Sequence, residues 1–109
     1  MAIDPVDFCK ALADETRQGI LKMLLQRGEV SVGEIVAAFK LSQPAVSHHL
    51  SVLKSYDLVR GRRDGKQIFY SVVRENVDYC CGIICANFAT DYQLVPIEDL
   101  KVKSQFSTS

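Results

Sequence analysis

Apolar residues recur at intervals of three and four along most of the chain, which is the spacing of one face of an α-helix. Capping residues stand where these patterns begin: Asp4, Asp14 and Ser42 can each cap a helix. Ser31 and Glu34, three residues apart, form a capping box. These signals predict helices at residues 5–12, 15–27, 31–39 and 42–56, and from Arg74 or Asn76 to about Ala89.

The fourth predicted helix carries the most informative polar face. Val46, Leu50 and Leu53 form its apolar stripe, and Ser42 is a good N-cap. The other face has short hydrogen-bonding side chains and one cation, namely Gln43, Ser47, His48, Ser51 and Lys54. Such groups suit the base edges and phosphates of a DNA major groove. Taken alone, the window is more typical of a solvated face on an ordinary amphipathic helix.

The segment after that helix favours the DNA interpretation. Residues 58–63 and 67–73 predict two strands, because Ile68, Tyr70 and Val72 alternate and Asp64-Gly65 is a strong hairpin signal. Two helices joined by a short turn, with a basic hairpin directly after them, indicate a winged helix-turn-helix, mainly α with a β-hairpin wing. We therefore expect Arg62, Arg63 and Lys66 to contact phosphate or to enter the minor groove, the alternative being a solvated turn.

Charge is unevenly distributed along the chain. The formal net charge is zero, which by itself argues against a nucleic-acid binder. Residues 54–66, however, contain five basic and two acidic residues, a net charge of +3, whereas residues 75–99 carry −5. A local basic patch can bind phosphate even when the whole chain is neutral.

The length and composition indicate one small globular domain. The chain has 109 residues, of which 48% are hydrophobic and 24% charged, and we assign residues 1–89 to the domain and 90–109 to a tail of uncertain structure. No apolar run is long enough to cross a membrane and no secretory signal is apparent, so we expect a cytoplasmic protein without a membrane partner.

The last helix has an apolar face wide enough for a dimer seam, formed by Val77, Cys80, Cys81, Ile84, Cys85 and Phe88.

These features together resemble the ArsR/SmtB family of metal- and metalloid-sensing winged-helix repressors. The resemblance covers residues 6–89 and rests on Leu12-Ala13-Asp14-Glu15-Thr16-Arg17, on residues 42–50, on Leu58-Val59 and on Gly65-Lys66 with Tyr70. It implies a homodimer that binds palindromic double-stranded operator DNA and releases it when an inducer binds. His49 matches the histidine of the family's Ser-x-His-Leu pattern, and it either supports the recognition helix or contacts a phosphate. Asp57 departs from the glycine that the family often has there.

The resemblance also implies that two known inducer sites are absent. One family site uses two cysteines at positions that correspond here to Ser31 and Gly33. Another uses aspartate and histidine on the last helix, and this chain has no histidine after His49. The candidate ligands that remain are Cys80, Cys81 and Cys85 on the last helix.

The three cysteines form a soft donor set. Cys81 and Cys85 lie one turn apart on a helix, and Cys80 lies about 100° around from Cys81. A small distortion, made easier by Gly82, would bring the three sulfurs to one centre. Thiolates select soft ions, so trivalent arsenic or antimony is the first choice as inducer. Cadmium, lead or mercury, with Cys9 recruited, and a thiol sensor of oxidant or persulfide remain alternatives, as does a purely structural role in the core.

Functions other than repression are less well supported. The chain has no Cys-x-x-Cys motif, no glycine-rich phosphate loop and no carboxylate–histidine pairing near the cysteines, so we do not expect an enzyme. A metal buffer would carry the same cysteines but would not bind a palindrome with steep salt dependence. The sequence therefore predicts a dimeric repressor released by As(III) or Sb(III), while the inducer's identity, the operator sequence and the roles of Cys9 and the tail stay open.

Overall fold

The computed structural model describes residues 3–88, so the predicted tail at 90–109 lies outside the described residues. Five helices and three strands occur in this part of the chain, and none of these helices is both long and apolar enough to cross a membrane. Their bounds are α1 Pro5–Ala11, α2 Glu15–Arg27, β1 Val30–Ser31, α3 Val32–Phe39, α4 Gln43–Ser55, β2 Val59–Asp64, β3 Gln67–Val72 and α5 Arg74–Phe88.

The predicted capping residues set the helix starts. The Asp14 carboxylate accepts from the backbone N–H of Arg17 at 2.9 Å, and the Ser42 hydroxyl accepts from that of Ala45 at 3.2 Å. Ser31 and Glu34 form the reciprocal capping box at the start of α3. Each cap satisfies a backbone N–H that the first turn leaves without a helical partner. The predicted helices are therefore confirmed, with ends that differ by a residue or so.

The hairpin is confirmed, but it belongs to a three-stranded sheet. The strand order is β1-β3-β2, with both pairings antiparallel. Strand β1 was not predicted from the sequence, because two residues are too few to show an alternating pattern. Val30 pairs with Tyr70 and Ser31 with Phe69, so β1 fastens the base of the wing to the helical core.

One continuous core joins the helices and the base of the sheet. Helix α4 contributes Val46, Leu50 and Leu53, which are 0–1% exposed. The remaining buried apolar residues come from the other four helices and from β1 and β2, namely Phe8, Ala11, Ile20, Leu21, Leu24, Val30, Ile35, Val59, Val77 and Cys80, together with Leu58 just before β2. The cluster therefore includes one of the three candidate metal-binding cysteines.

Two left-handed backbone positions determine how α4 connects to its neighbours. Lys40 has φ 55° and ends α3, its N–H bonding to the carbonyl of Val36 at 2.9 Å. Asp57 has φ 59° and lies just after α4, and its carbonyl accepts from the Asn76 side chain at 2.7 Å. These turns place α4 directly between α3 and the wing.

Candidate nucleic-acid interface and cysteine cluster

The outer face of α4 is presented as the sequence analysis predicted. The side chains named there are all exposed: Ser42, Gln43, Ser47, His48, Ser51 and Lys54. The opposite face is fixed by three buried apolar residues, so α4 cannot rotate without opening the core. A rigid helix with exposed hydrogen-bonding groups is what reading of base edges requires.

A cleft of about 280 Å³ separates the start of α4 from the wing. Gln43 and Ser47 line it from α4, and Lys66 and Ile68 line it from the hairpin. Residues predicted separately from two motifs therefore border one surface. The cleft also meets the start of α3 at Gly33, so the first turns of two helices border it together with Lys66.

The two predicted arginines of the wing have different environments. Arg63 is exposed and, like Lys66, makes no ion pair within residues 3–88. Arg62 instead donates two hydrogen bonds to the Glu29 carboxylate, from Nε at 2.9 Å and from Nη2 at 2.8 Å. The structure therefore leaves Arg63 and Lys66 available for an external anion and engages Arg62 internally.

The three cysteines of α5 are divided between the core and the surface. Cys80 is fully buried and its Sγ donates to the Ile3 carbonyl at 3.9 Å, whereas Cys81 is exposed and Cys85 half-buried. Burial raises the pKa of the Cys80 thiol, and Cys81, Cys9 and Asp4 nearby raise it further. Cys81 is only partly desolvated, and this desolvation, together with Cys85 and Asp78 nearby, also raises the pKa of its thiol.

The sulfurs do not form a preassembled metal site. Between residues 3 and 88, no three cysteine, histidine or carboxylate side chains lie close enough together to hold a metal ion. The thiol donors have the right chemistry for a soft ion, but the arrangement seen would require Cys80 to leave its buried position. Cys9 lies exposed on α1, the helix that packs against α5.

An apolar groove of about 420 Å³ runs between α1, α2 and α5. Its apolar lining comes from Phe8, Leu12, Leu21, Leu25 and Val77, and Cys81 stands at its edge. Large apolar side chains are also exposed on the two helices beside it: Val6 is 59% exposed and Phe88 75%. Such surface in a small domain is typical of an interface.

Comparison with known proteins assigns this architecture to a family. The family model described as "Bacterial regulatory protein, arsR family" matches residues 14–60, which span α2 to the first part of β2. The arsenic resistance transcriptional regulator ArsR2 of Pseudomonas putida is 38% identical over 102 residues, covering 94% of this chain and 89% of that protein. The chain belongs to the ArsR family.

Two further relatives illustrate the range of this ArsR family. A probable mercury resistance operon repressor of Streptomyces lividans is 49% identical over 65 residues, or 60% of this chain and 51% of that protein. A solved homodimeric winged helix-turn-helix DNA-binding domain from Mycobacterium bovis, Mb0332, shares 26% identity with a TM-score of 0.63, over 84% of this chain and 86% of that one. The family and these relatives are transcriptional regulators, not enzymes, and the winged-helix prediction is confirmed.

His49 of this ArsR-family chain lies at the inner edge of α4 rather than on its outer face. Its side chain is 18% exposed, and Nδ1 lies 3.7 Å from a carboxylate oxygen of Asp14. The Nδ1 atom is buried and has no hydrogen-bond partner within residues 3–88. Of the two roles considered for this histidine, the position favours support of the recognition helix. Asp14, which caps α2, was recognised from the sequence only as a cap.

Glu29 is the residue of the interface that sequence reasoning missed. It lies 33 positions before Arg62 and belongs to no motif, so no local signal relates the two residues. The Arg62 hydrogen bonds hold the pKa of Glu29 below its ordinary value. Only the pairing of β1 with β3 brings this carboxylate to the wing.

Proposed function

We propose that this ArsR-family regulator is a homodimeric repressor that binds operator DNA through α4 and the wing, and that trivalent arsenic or antimony releases it by binding Cys80, Cys81 and Cys85. The observation that carries the proposal is the division of these cysteines: two thiols are accessible on α5 and the third lies locked in the core. An inducer that needs all three must change the structure in order to bind.

DNA binding is supported by the surface shared by α4 and the wing. The outer face of α4 would enter the major groove, with Gln43, Ser47, His48 and Ser51 toward base edges. Arg63, Lys66 and Lys54 would contact phosphates, which give affinity and register without reading sequence. In a dimer, two copies of α4 must match successive major grooves. The homodimeric relative Mb0332 supports a dimer. The exposed apolar groove supports an interface on the α1 and α5 side of the molecule.

Inducer chemistry follows from the three thiols. Arsenite carries three hydroxyl groups, and three thiols replace them to form three As–S bonds and release three water molecules. Arsenic stays trivalent throughout, so no oxidant or reductant is needed. The relative ArsR2, named for arsenic resistance, supports this choice.

The position of Cys80 suggests how inducer binding would be coupled to DNA binding. Its sulfur contacts the Ile3 carbonyl immediately before α1, and α5 packs against α1. Bringing this sulfur to a ligand shared with Cys81 and Cys85 would break that contact and shift α5. If α5 lies at the dimer seam, such a shift alters the separation of the two recognition helices. The coupling is reciprocal, so operator DNA must weaken inducer affinity by the same factor.

Mercury is the second candidate inducer. Mercury(II) is satisfied by two thiolates, and Cys81 and Cys85 already lie one turn apart outside the core. The Streptomyces lividans relative, named as a probable mercury resistance repressor, is consistent with this alternative. The two candidates differ in their need for Cys80.

The experiment is a fluorescence-anisotropy titration of reduced protein on labelled duplexes tiled across the DNA upstream of its gene. Arsenite, antimonite, mercury, cadmium, lead and zinc are added in turn, with an oxidant in parallel. The variants are Cys80→Ser, the triple Cys80→Ser/Cys81→Ser/Cys85→Ser, and Cys9→Ser as the matched control.

We expect arsenite to release wild type and Cys9→Ser but neither of the other two variants, all four binding DNA comparably beforehand. Release of both wild type and Cys80→Ser by mercury, with neither released by arsenite, would identify the two-thiol alternative. Release of the triple variant by arsenite would refute the site, and release by oxidant alone would make the protein a redox sensor. Absence of DNA binding by the wild type would refute the repressor itself.

A further inference from the structure

The adjacent arginines of the wing lie on opposite faces of the sheet. In the antiparallel register Arg62 stands opposite Phe69 and Arg63 opposite Ile68, and successive side chains on a strand alternate between faces. Ile68 lines the cleft beside Gln43 and Ser47. Arg63 therefore shares the sheet face that borders the recognition helix, and Arg62 is on the other face.

Arg62 is held by contacts within the protein. Two of its N–H groups bond to the two oxygens of Glu29, its guanidinium lies 5.0 Å from the centre of the Phe69 ring, and Nη1 lies 3.7 Å from an Asp64 oxygen. Planar, two-point contact with a carboxylate and stacking on an aromatic ring are geometries that arginine makes and lysine does not.

The contact between Glu29 and Arg62 lies near the point where the three-stranded part of the sheet ends. Ser31, Phe69 and Arg62 form the last row that contains all three strands. Beyond it the hairpin continues as two strands to the Gly65 turn, and an isolated two-stranded hairpin is only marginally stable in water. Glu29 immediately precedes β1, so its contact with Arg62 spans the central strand and joins the outer two.

We propose that Glu29 and Arg62 form a strut that holds the wing at a fixed angle to the recognition helix, and that Arg62 is a positioning residue rather than a phosphate contact. Arg63 and Lys66, which lack ion pairs within residues 3–88, contact the phosphates. This assignment rests on the proposed DNA-binding function and specifies how the wing serves it. Glu29, although acidic, thereby promotes DNA binding.

The decisive variants separate charge from geometry. Arg62→Lys keeps the charge but removes the two-point hydrogen bonding, Arg62→Gln removes both, and Glu29→Gln removes an acidic group from beside the DNA surface. Arg63→Gln is the phosphate-binding comparison. Glu75→Gln is the matched control, because Glu75 lies 3.7 Å from Arg60, another arginine of β2. Each variant is measured for affinity on the duplex that binds wild type, for the salt dependence of that affinity, and for hydrogen exchange of the wing amides.

We expect Arg62→Lys, Arg62→Gln and Glu29→Gln to weaken DNA binding by a similar several-fold factor. All three should speed amide exchange across residues 60–69 and leave the salt dependence unchanged. Arg63→Gln should lower the salt slope by about 0.9 for each phosphate that Arg63 neutralises, without faster exchange. Glu75→Gln should match the wild type in every measurement.

Two DNA-binding results and one hydrogen-exchange result would overturn the strut. If Arg62→Lys binds like wild type while Arg62→Gln has a reduced salt dependence, Arg62 is a phosphate contact. If Glu29→Gln tightens binding, Glu29 competes with DNA for the arginine. Should wild type bind no duplex, the DNA-binding proposal fails, but hydrogen exchange still decides the strut: unchanged exchange in Glu29→Gln and Arg62→Lys refutes it.

Discussion

The DNA-facing side of this ArsR-family protein and its cysteine-bearing helix differ in how far their functional groups are already assembled. On α4 the candidate reading residues are all exposed above a fully buried stripe, and the helix start is capped. On α5 one of the three candidate ligands is buried at 0% exposure while its neighbour is exposed. Under the proposed function, α4 is a preorganised reading helix, whereas a ligand bound by all three cysteines would have to rearrange α5.

That difference suits a regulator. A reading surface has to be preorganised, because each side chain frozen only on binding reduces affinity. A sensing site benefits from the opposite property, because a ligand shifts a conformational equilibrium only when it binds the two states unequally. Three sulfurs already at one centre would bind the ligand with little structural consequence.

The largest expected effect comes from truncating equally buried side chains in the two regions. Leu50→Ala in α4 removes a large core side chain and should lower the free energy of unfolding by about 2–5 kcal/mol. Cys80→Ala in α5 removes one sulfur atom and should lower it by about 1 kcal/mol. Urea unfolding followed by circular dichroism measures both. A loss below about 2 kcal/mol for Leu50→Ala would show that α4 is packed less firmly against the core than its burial indicates.

The carboxylates near the DNA-facing side and the Cys80 thiol of α5 should affect stability at opposite ends of the pH scale. Hydrogen bonds from the backbone of Arg17, from the Arg62 side chain and from Ser31 lower the pKa values of Asp14, Glu29 and Glu34. Their stabilisation is therefore present above the unfolded pKa and lost as the pH falls through the lower folded value. Burial raises the pKa of Cys80, so its neutral thiol stabilises the fold below the unfolded pKa, and that contribution is lost as the pH rises through the folded value.

Calorimetric melting in reductant, from acid to alkaline pH, tests whether the carboxylates and the Cys80 thiol act at opposite ends of the pH scale. In Cys80→Ala the alkaline fall in melting temperature should be shallower than in wild type, while the acid fall stays the same. An unchanged alkaline fall would mean that the Cys80 thiol is not what links stability to alkaline pH.

The smallest expected effect concerns the connection between α4 and the wing. Asp57 has φ 59°, a conformation that costs a residue with a Cβ more than it costs glycine. Asp57→Gly should therefore raise the free energy of unfolding by about 0.5–1 kcal/mol. Its backbone carbonyl still accepts from Asn76, so the turn is kept. Thermal melting measures the change, and a loss of stability would mean that the aspartate side chain itself contributes.

Much of the reading surface was predictable because its determinants are local. The cap at Ser42, the spacing of Val46, Leu50 and Leu53, and the Asp-Gly turn of the hairpin each act within a few residues. Periodicity therefore identified α4, its exposed face and the wing. The family-level winged-helix prediction followed from the order of these elements and is confirmed by the family match.

The sequence predicts which cysteines lie on α5, but it does not predict which of them is buried. Helical spacing correctly places Cys81 and Cys85 about one turn apart and Cys80 to one side. It does not reveal that Cys80 points into the core against Ile3, because this depends on how α1 docks on α5. The assignment of the three sulfurs to one inducer stays a prediction.

By itself, the sequence determined the helices, the hairpin, the exposed face of α4 and the presence of three thiols on α5, since each depends on neighbours within about one or two turns. Tertiary structure alone decided that β1 joins the sheet, that Glu29 reaches Arg62 across the central strand, that His49 lies against Asp14, and that Cys80 is buried. The physical reason is that these contacts join residues far apart in the chain, and their partners are fixed only when the helices pack around a common core.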